Sequence, residues 1–553
     1  MSARKFTLLS ALLIFLLAAC NRSGKKGPHT GRDSAHYTQQ EYIDLKLDSN
    51  TVNTFLQKDT AYADYIRNFY RERDYHYAWI GNDGKLTEQA GNFINMMKAD
   101  ATYGLNDTSA ISKPLRELND TLMLEGDKLK PGDKTVPQAE LALTAQFFAY
   151  GNKVWGGMTS DTAKDLEWFI PRKKIDMQSL LDSMVRHPAN TFEEPVNNQY
   201  KLLRAQLKQL AALEKNPWDS LKASEKIYRK NDSADIIVAV KQRLHLLGDF
   251  SSGDVSPLFT TLLDTAIRNF QDRTGLKTDG TIQQPLLNAL NVSPQKRIQQ
   301  VLINMERLRW VPASLPEEYL LVNIPAFRLY VYDNNKLDWS CNVVVGKPGA
   351  NTVIFSNEMK LVVFAPYWNV PPGIMGKEVL PALKRNAAGY LSRQNMEIVT
   401  GNGKPVDPGS INWSRYSGTN FPYIVRQKPG GANALGKVKF LFPNEYNIYL
   451  HDTPSKGLFG ENKRTFSHGC IRVSEPQHLA EWLLRKDSSW TKKKITDAMN
   501  AGKEQFVSLK EKVPVFIGYF TAFVDSQGRL NFRDDVYGHD ARLAATLFAG
   551  RNQ

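Results

Sequence analysis

The sequence predicts a multidomain α+β protein: a helical domain, a small three-helix unit and a β-rich domain, in that order along the chain. Three observations predict it. The 553 residues exceed what one hydrophobic core holds, since domains usually run about 100–150 residues. Apolar residues recur mainly at helical spacing up to about residue 290. After Pro294 the pattern changes to short β-branched and aromatic runs bounded by Gly, Pro or Asn.

The N-terminal residues stand apart. Arg4 and Lys5 precede a nearly continuous apolar run from Leu8 to Ala19, too short to span a bilayer and shaped like a secretory leader. The run ends in Leu17-Ala18-Ala19-Cys20, which resembles the lipobox of bacterial lipoproteins. The resemblance implies a lipoprotein signal peptide over 1–19, lipid on Cys20, and an exported chain anchored to a membrane and facing the periplasm. An ordinary signal peptide with an incidental cysteine is the alternative. Residues 20–41 are polar and rich in Gly, Ser, Lys and Arg, and are expected to be a flexible tether.

The formal charge of +14 and the pI near 9.3 would suit nucleic acid in a cytoplasmic protein. For an exported chain no nucleic acid partner is expected. Anionic envelope material, or simply a scattered basic surface, accounts for the charge instead. With Cys20 modified, Cys341 and Cys470 remain, in a compartment that favours disulfides. A bridge between them is open. However, Trp339-Ser340-Cys341-Asn342-Val343-Val344-Val345 reads as a buried strand, which makes Cys341 a small core residue and leaves Cys470 free.

Residues 42–230 are predicted to be helical. Phe55, Tyr62, Tyr65, Ile66 and Phe69 recur near helical spacing, as do Leu141, Thr144, Ala145, Phe148 and Ala149. The aromatic cluster from Phe69 to Trp79, with His76, reads as packing core ahead of a sugar-stacking surface. Residues 235–291 form a smaller unit. Val240, Leu244 and Leu247 make one stripe closed by Gly248, and Leu263, Ile267 and Phe270 make a second. Turn residues Gly275 and Asp279-Gly280 lead to a short helix, Leu286 to Leu290. This order resembles the three-helix peptidoglycan-binding module, although Pro285 leaves the start of the last helix atypical. A purely structural role for the unit stays open.

Residues 295–545 form the β-rich domain. A basic amphipathic helix, Val301 to Trp310, precedes runs of strand composition at Tyr319–Ile324, Arg328–Tyr332, Asn342–Val345, Met359–Phe364, Val438–Phe442 and Ile448–Leu450. Residues 375–426 are polar and loop-like, with Trp413 and Tyr423 as anchors, and are expected to be an insertion over one side of the sheet.

The chemistry concentrates in Ser467-His468-Gly469-Cys470-Ile471-Arg472-Val473, downstream of Tyr449-Leu450-His451-Asp452. A thiol attacks a carbonyl as thiolate and needs a nearby cation or base. His451 and His468 are both candidates, the second because positions two apart on an extended chain share a face. Gly469 lets a substrate approach the backbone and exposes amide donors for an oxyanion. Ser474 with Gln477 reads as a capping box opening the next helix. A zinc site on His451, His468 and Cys470 lacks a visible fourth ligand. A cysteine peptidase shares the acyl-enzyme step.

The arrangement of His451 with Ser467-His468-Gly469-Cys470-Ile471-Arg472 resembles the L,D-transpeptidase catalytic signature. The similarity extends through Asn304 to Trp310, Val322 to Pro325, Val344 to Lys347, Pro366 to Pro372, Gln427 to Gly430, Asn433 to Gly436 and Phe532 to Gly538. It departs at Asn351-Thr352-Val353-Ile354, where a Thr-Pro turn is usual. The resemblance implies the long form: a helical scaffold domain, the peptidoglycan-binding module and a β-rich L,D-transpeptidase catalytic domain with a capping insertion.

It also implies roles. Cys470 would be the acylated nucleophile and His451 the base, oriented by the backbone carbonyl of Asp452. The Gly469 and Cys470 amides and the Tyr449 hydroxyl would face the oxyanion, and Arg472, Trp368 and Ser467 would contact substrate. Further implied are stem tetrapeptides as donors, a diamino-acid side chain as acceptor, acylation by carbapenems, and no metal or organic cofactor. Carboxypeptidase or D-amino-acid exchange at the same site, or a non-catalytic wall-binding lipoprotein, are the alternatives.

Overall fold

The structure is a computed structural model that describes residues 43–57, 62–102, 135–187, 192–222, 226–417 and 420–549. Cys20, the signal peptide and the whole of the tether lie outside the described residues.

The N-terminal part is built from helices Ser49–Leu56, Ala63–Glu72, Glu88–Thr102, Thr135–Tyr150, Ser160–Asp165, Met177–Arg186 and Asn198–Leu213. Phe69, Tyr70 and Trp79 are fully buried, so the aromatic cluster is core. Tyr65 departs from the expected face and lies half exposed. Thr135–Tyr150 is buried nearly all round and carries Glu140 into the interior. Its carboxylate accepts from the Ala78 and Trp79 amides at 2.6 and 3.0 Å and from the Tyr70 hydroxyl at 2.9 Å. Burial outweighs these bonds and pushes its pKa up to about 7.

The strands in chain order are β1 (Trp168–Phe169), β2 (Tyr319–Asn323), β3 (Arg328–Asp333), β4 (Lys336–Gly346), β5 (Ile354–Phe364), β6 (Trp368–Asn369), β7 (Met396–Val399), β8 (Ile424–Gln427), β9 (Val438–Leu441), β10 (Leu450–His451), β11 (Thr465–Ser467), β12 (Ile471–Val473), β13 (Gln505–Gly518), β14 (Ala522–Val524) and β15 (Leu530–Phe532). The main sheet runs β1-β5-β13-β2-β3-β4-β12-β10-β9, and β9 also pairs with β5, which closes the sheet on itself.

The helical and β-rich parts, read from the sequence as separate units, share one continuous hydrophobic cluster. Two elements cause this. Strand β1 leaves the helical part and pairs in parallel with β5, Trp168 opposite Ile354 and Phe169 opposite Phe355. Helix Pro294–Trp310 packs on Asn198–Leu213, and its buried Glu306 accepts from the Met158 amide at 2.6 Å and the Trp310 indole at 2.9 Å.

The unit at 235–291 has its own core around helices Asp235–Leu246, Thr261–Arg273 and Gln284–Leu290. It meets the β14–β15 hairpin through Arg273, which donates to the Leu530 carbonyl at 3.2 Å, and through the Asp272–Arg529 ion pair at 3.0 Å.

The insertion is not loop-like. It has its own apolar cluster, a helix at Leu380–Arg393 and a three-stranded sheet β6-β8-β7. Trp368 belongs to that sheet, opposite Gln427, so the insertion's fold starts ahead of residue 375. The sequence hid it because much of its surface is polar and its apolar positions are few and scattered.

Candidate active site

Strands β10 and β12 run in parallel, with Leu450 opposite Ile471 and His451 opposite Arg472. The Ile471 amide donates to the Tyr449 carbonyl at 3.1 Å, which sets Cys470 beside Tyr449 at the mouth of the pair. Side chains two apart on a strand share a face. Tyr449 and His451 therefore point the same way, with ring centroids 5.7 Å apart. Cys470 and Arg472 line that face from the neighbouring strand, and the Arg472 charge acts on both His451 and Cys470.

His451 is buried, and its Nδ1 lies 2.5 Å from the Asp452 carbonyl oxygen. That carbonyl can only accept, so Nδ1 carries the proton and Nε2 is left as the free base. Burial, reinforced by the Arg472 and Lys439 charges, lowers the His451 pKa to about 4. The Asp452 carboxylate is itself held by the Lys437 amide at 2.8 Å, the Thr453 amide at 2.7 Å and Lys456 Nζ at 2.5 Å. Gly436, at φ +61°, packs so closely that a Cβ there would fall 2.3 Å from Asp452 Cγ. The His451 imidazole is thus positioned through Asp452 by a second turn of chain.

Cys470 is partly buried and forms no disulfide; Cys341 is free as well and lies in the core. Burial pushes the Cys470 thiol up, against the pull of its hydrogen bonds with Tyr449 and of the Arg472 charge. Burial and the neighbouring thiol likewise push the Tyr449 hydroxyl up, so it is a neutral donor. Arg472 is half-buried and its Nε has no hydrogen-bond partner.

Four sequence expectations change here. The stretch 468–470 is a bend, not an extended chain, because Gly469 sits at φ +118°. His468 therefore turns away from the strand face, and its Nε2 meets Glu378 Oε1 at 3.1 Å and Lys347 Nζ at 3.4 Å. The Gly469 amide, expected at the oxyanion, donates instead to Ser467 Oγ at 3.1 Å. Ser467 is buried and its hydroxyl donates to the Cys470 carbonyl at 2.6 Å, so it closes the turn that carries Cys470 and does not face the open side of the site. Finally, the following helix is Pro476–Leu484 with Glu475 at its N-cap, and no side chain caps it. Ser474 instead extends the β12 edge, its amide donating to the Asn342 carbonyl at 3.0 Å.

Trp368 is half-buried against the insertion's apolar cluster. Two supporting residues were missed in the sequence. Thr352 is buried in the atypical loop, where its hydroxyl donates to the Gly469 carbonyl at 2.7 Å and accepts from the Gly346 amide at 2.9 Å. The Tyr537 hydroxyl donates to the Gly346 carbonyl at 2.5 Å and accepts from the Thr352 amide at 3.3 Å. Nothing in residue type marks their roles; the signals were the departure at Asn351-Thr352-Val353-Ile354 for Thr352 and the similarity over Phe532 to Gly538 for Tyr537. No cluster of three or more metal-ligating side chains occurs among the described residues.

Two stretches of the chain match known families. Residues 317–507 match the family model of the L,D-transpeptidase catalytic domain, and residues 64–207 match that of a scaffold domain. A curated Haemophilus influenzae protein named "Putative L,D-transpeptidase" is 34% identical over 245 residues, covering 44% of this chain and 49% of the relative. The chain thus spans about half the length of the curated relative it matches. Among solved structures, an L,D-transpeptidase of Xylanimonas cellulosilytica is 13% identical with a TM-score of 0.17, covering 54% of this chain and 100% of that one. One from Stackebrandtia nassauensis is 12% identical with a TM-score of 0.22, covering 54% and 98%. The β-rich part of this chain is thus similar to an L,D-transpeptidase catalytic domain, and the helical part ahead of it is similar to a scaffold domain.

Proposed function

We propose that the protein is a peptidoglycan L,D-transpeptidase that forms 3,3 cross-links through a thioester on Cys470. The observation that carries this reading is a neutral His451, its Nδ1 fixed by the Asp452 carbonyl, on the same strand face as Cys470. Burial raises the thiol and lowers the imidazole. The resting pair is therefore uncharged, and His451 Nε2 takes the thiol proton as the substrate arrives.

The sulfur attacks the carbonyl of the third, diamino-acid residue of a tetrapeptide stem. The Tyr449 hydroxyl and the Cys470 amide stabilise the oxyanion, since the Gly469 amide is engaged by Ser467. The His451 proton passes to the leaving amine, and the terminal D-alanine departs. The side-chain amine of a second stem then attacks the thioester and yields its proton to His451. The amide forms, and Cys470 regains its proton. Arg472, with an unpartnered Nε, holds a substrate carboxylate. Trp368 lines the donor side.

The same reading makes the chain an exported lipoprotein anchored through Cys20 and facing the periplasm. The 235–291 unit acts as a peptidoglycan-binding module, and the insertion at 375–426 caps the site. The decisive experiment is the mass of the Cys470 adduct after exposure to a disaccharide-tetrapeptide. The expected adduct is the tripeptide stem, with D-alanine released. Absence of adduct, D-alanine and dimer would overturn the reading, as would cross-linking by Cys470→Ala.

A further inference from the structure

The geometry points to Glu378 as the carboxylate that receives the ammonium group of the acyl acceptor, an inference resting on the transpeptidase reading above. Glu378 lies in the wide turn Met375–Val379 of the insertion. Pro381 follows and has no N–H for the carbonyl one α-turn back, which favours the wider i→i+5 pattern there. Met375 and Val379 bury into the insertion's apolar cluster, while Glu378 faces out and meets His468 Nε2 at 3.1 Å. His468 is two residues from Cys470, so the insertion sets a carboxylate against the nucleophile loop.

The charges around Cys470 divide by side. On the strand side stand Arg472 and Lys439, the latter opposite His451 on β9. Lys439 also pairs with Glu504 at 3.8 Å, so Arg472 is the cation left to match a carboxylate of the donor stem. The insertion side offers Glu378, 55% exposed and so open to a second substrate after the first has filled the strand side. Lys347 also touches His468, which leaves His468 between a cation and an anion. An arriving ammonium replaces His468 as the partner of Glu378. The ammonium sheds one proton to solvent from this carboxylate. The amine nitrogen then bonds to the thioester carbonyl carbon as the C–S bond breaks, and its second proton goes to His451 and on to the Cys470 sulfur. Water carries no such charge, so Glu378 biases the thioester toward aminolysis and away from hydrolysis.

The test uses the full chain with disaccharide-tetrapeptide as donor and acceptor, counting 3,3-dimer and tripeptide by mass spectrometry at sub-saturating substrate. Glu378→Gln is expected to lower the dimer-to-tripeptide ratio about fivefold, the size of an exposed charge pair. Glu378→Asp should recover part of it, and high salt should lower the wild-type ratio toward that of Glu378→Gln. Far-UV circular dichroism checks folding; were Glu378→Gln misfolded, the Glu378→Asp ratio and the salt dependence decide. An unchanged ratio with normal Cys470 adduct formation overturns the inference and leaves the transpeptidase reading intact. Slower adduct formation with an unchanged ratio also overturns it, assigning Glu378 to the donor. A wild-type protein that forms no Cys470 adduct refutes the transpeptidase reading and this inference with it.

Discussion

The resting state of Cys470 is open to direct measurement by iodoacetamide labelling across pH. Burial raises its thiol above the ordinary 9.0, and the hydrogen bonds of Tyr449 and the charge of Arg472 only partly offset this. A thiol with a pKa above 9 is less than about 1% ionised at pH 7. Labelling at pH 7 should then run at no more than about a hundredth of its high-pH limit and rise about tenfold per pH unit. His451, at about 4, is neutral throughout that range and supplies no imidazolium to hold a thiolate. Peptide-level mass spectrometry separates Cys470 from the buried Cys341. His451→Gln should leave labelling above pH 9 nearly unchanged while slowing acylation by stem tetrapeptide about 10²–10⁴-fold, the worth of a positioned base. Half-maximal labelling below pH 7 would refute the argument, since it would require a preformed thiolate–imidazolium pair.

Three further outcomes follow from the same geometry. The acid limb of kcat/KM for acylation should fall near pH 4, where His451 protonates, and a limb near 6.5 would show that burial does not control it. Thr352→Val strips the partners from the Gly346 amide and the Gly469 carbonyl and should cost about 2–4 kcal/mol in urea unfolding, with slower acylation. His539 is buried beside Arg307 and Arg542, and its pKa is lowered to about 4, so the stability it contributes is present above pH 6.5 and lost as pH falls through 4. His539→Gln should therefore lose up to about 3 kcal/mol less than wild type between pH 6.5 and 4. Glu140, raised to about 7, acts in the opposite sense, so the wild-type profile alone understates the histidines.

The strand positions and the nucleophile segment were legible because their signal is local. β2 and β3 fall within a residue or two of the apolar runs that predict them. β13, the longest strand, was missed. Its first half is mostly exposed, with Phe506 at the surface and the consecutive charges Lys510-Glu511-Lys512, and Pro514 interrupts the pattern. That proline is tolerated because pairing with β2 begins only at Val515, so at Pro514 β5 is the paired neighbour. Within the site, residue type pointed to Cys470 and His451, and spacing on an extended chain made His468 a competing base. The family resemblance favoured His451, and the backbone at Gly469 turns His468 away from the strand face. The roles of Ser467, Thr352 and Glu378 depend on contacts between distant segments, which periodicity does not encode.

The helical part reaches the Cys470 turn through few steps. β1 pairs with Ile354 and Phe355, two residues beyond Thr352, whose hydroxyl holds the Gly469 carbonyl ahead of Cys470. Trp168 anchors β1; it is 2% exposed and packs edge-on against Trp310 and Phe520, at 5.4 and 5.9 Å between centroids. Trp168→Ala removes a large buried ring and should cost about 3–5 kcal/mol. It should also slow Cys470 acylation, although Trp168 lies outside the matched catalytic domain, because the start of β5 and the Thr352 loop lose their support. Thermal unfolding and the rate of Cys470 adduct formation below the transition separate the two effects. A folded Trp168→Ala protein with wild-type acylation would mean that the shared core supplies stability alone and that the Thr352 loop holds its geometry without β1.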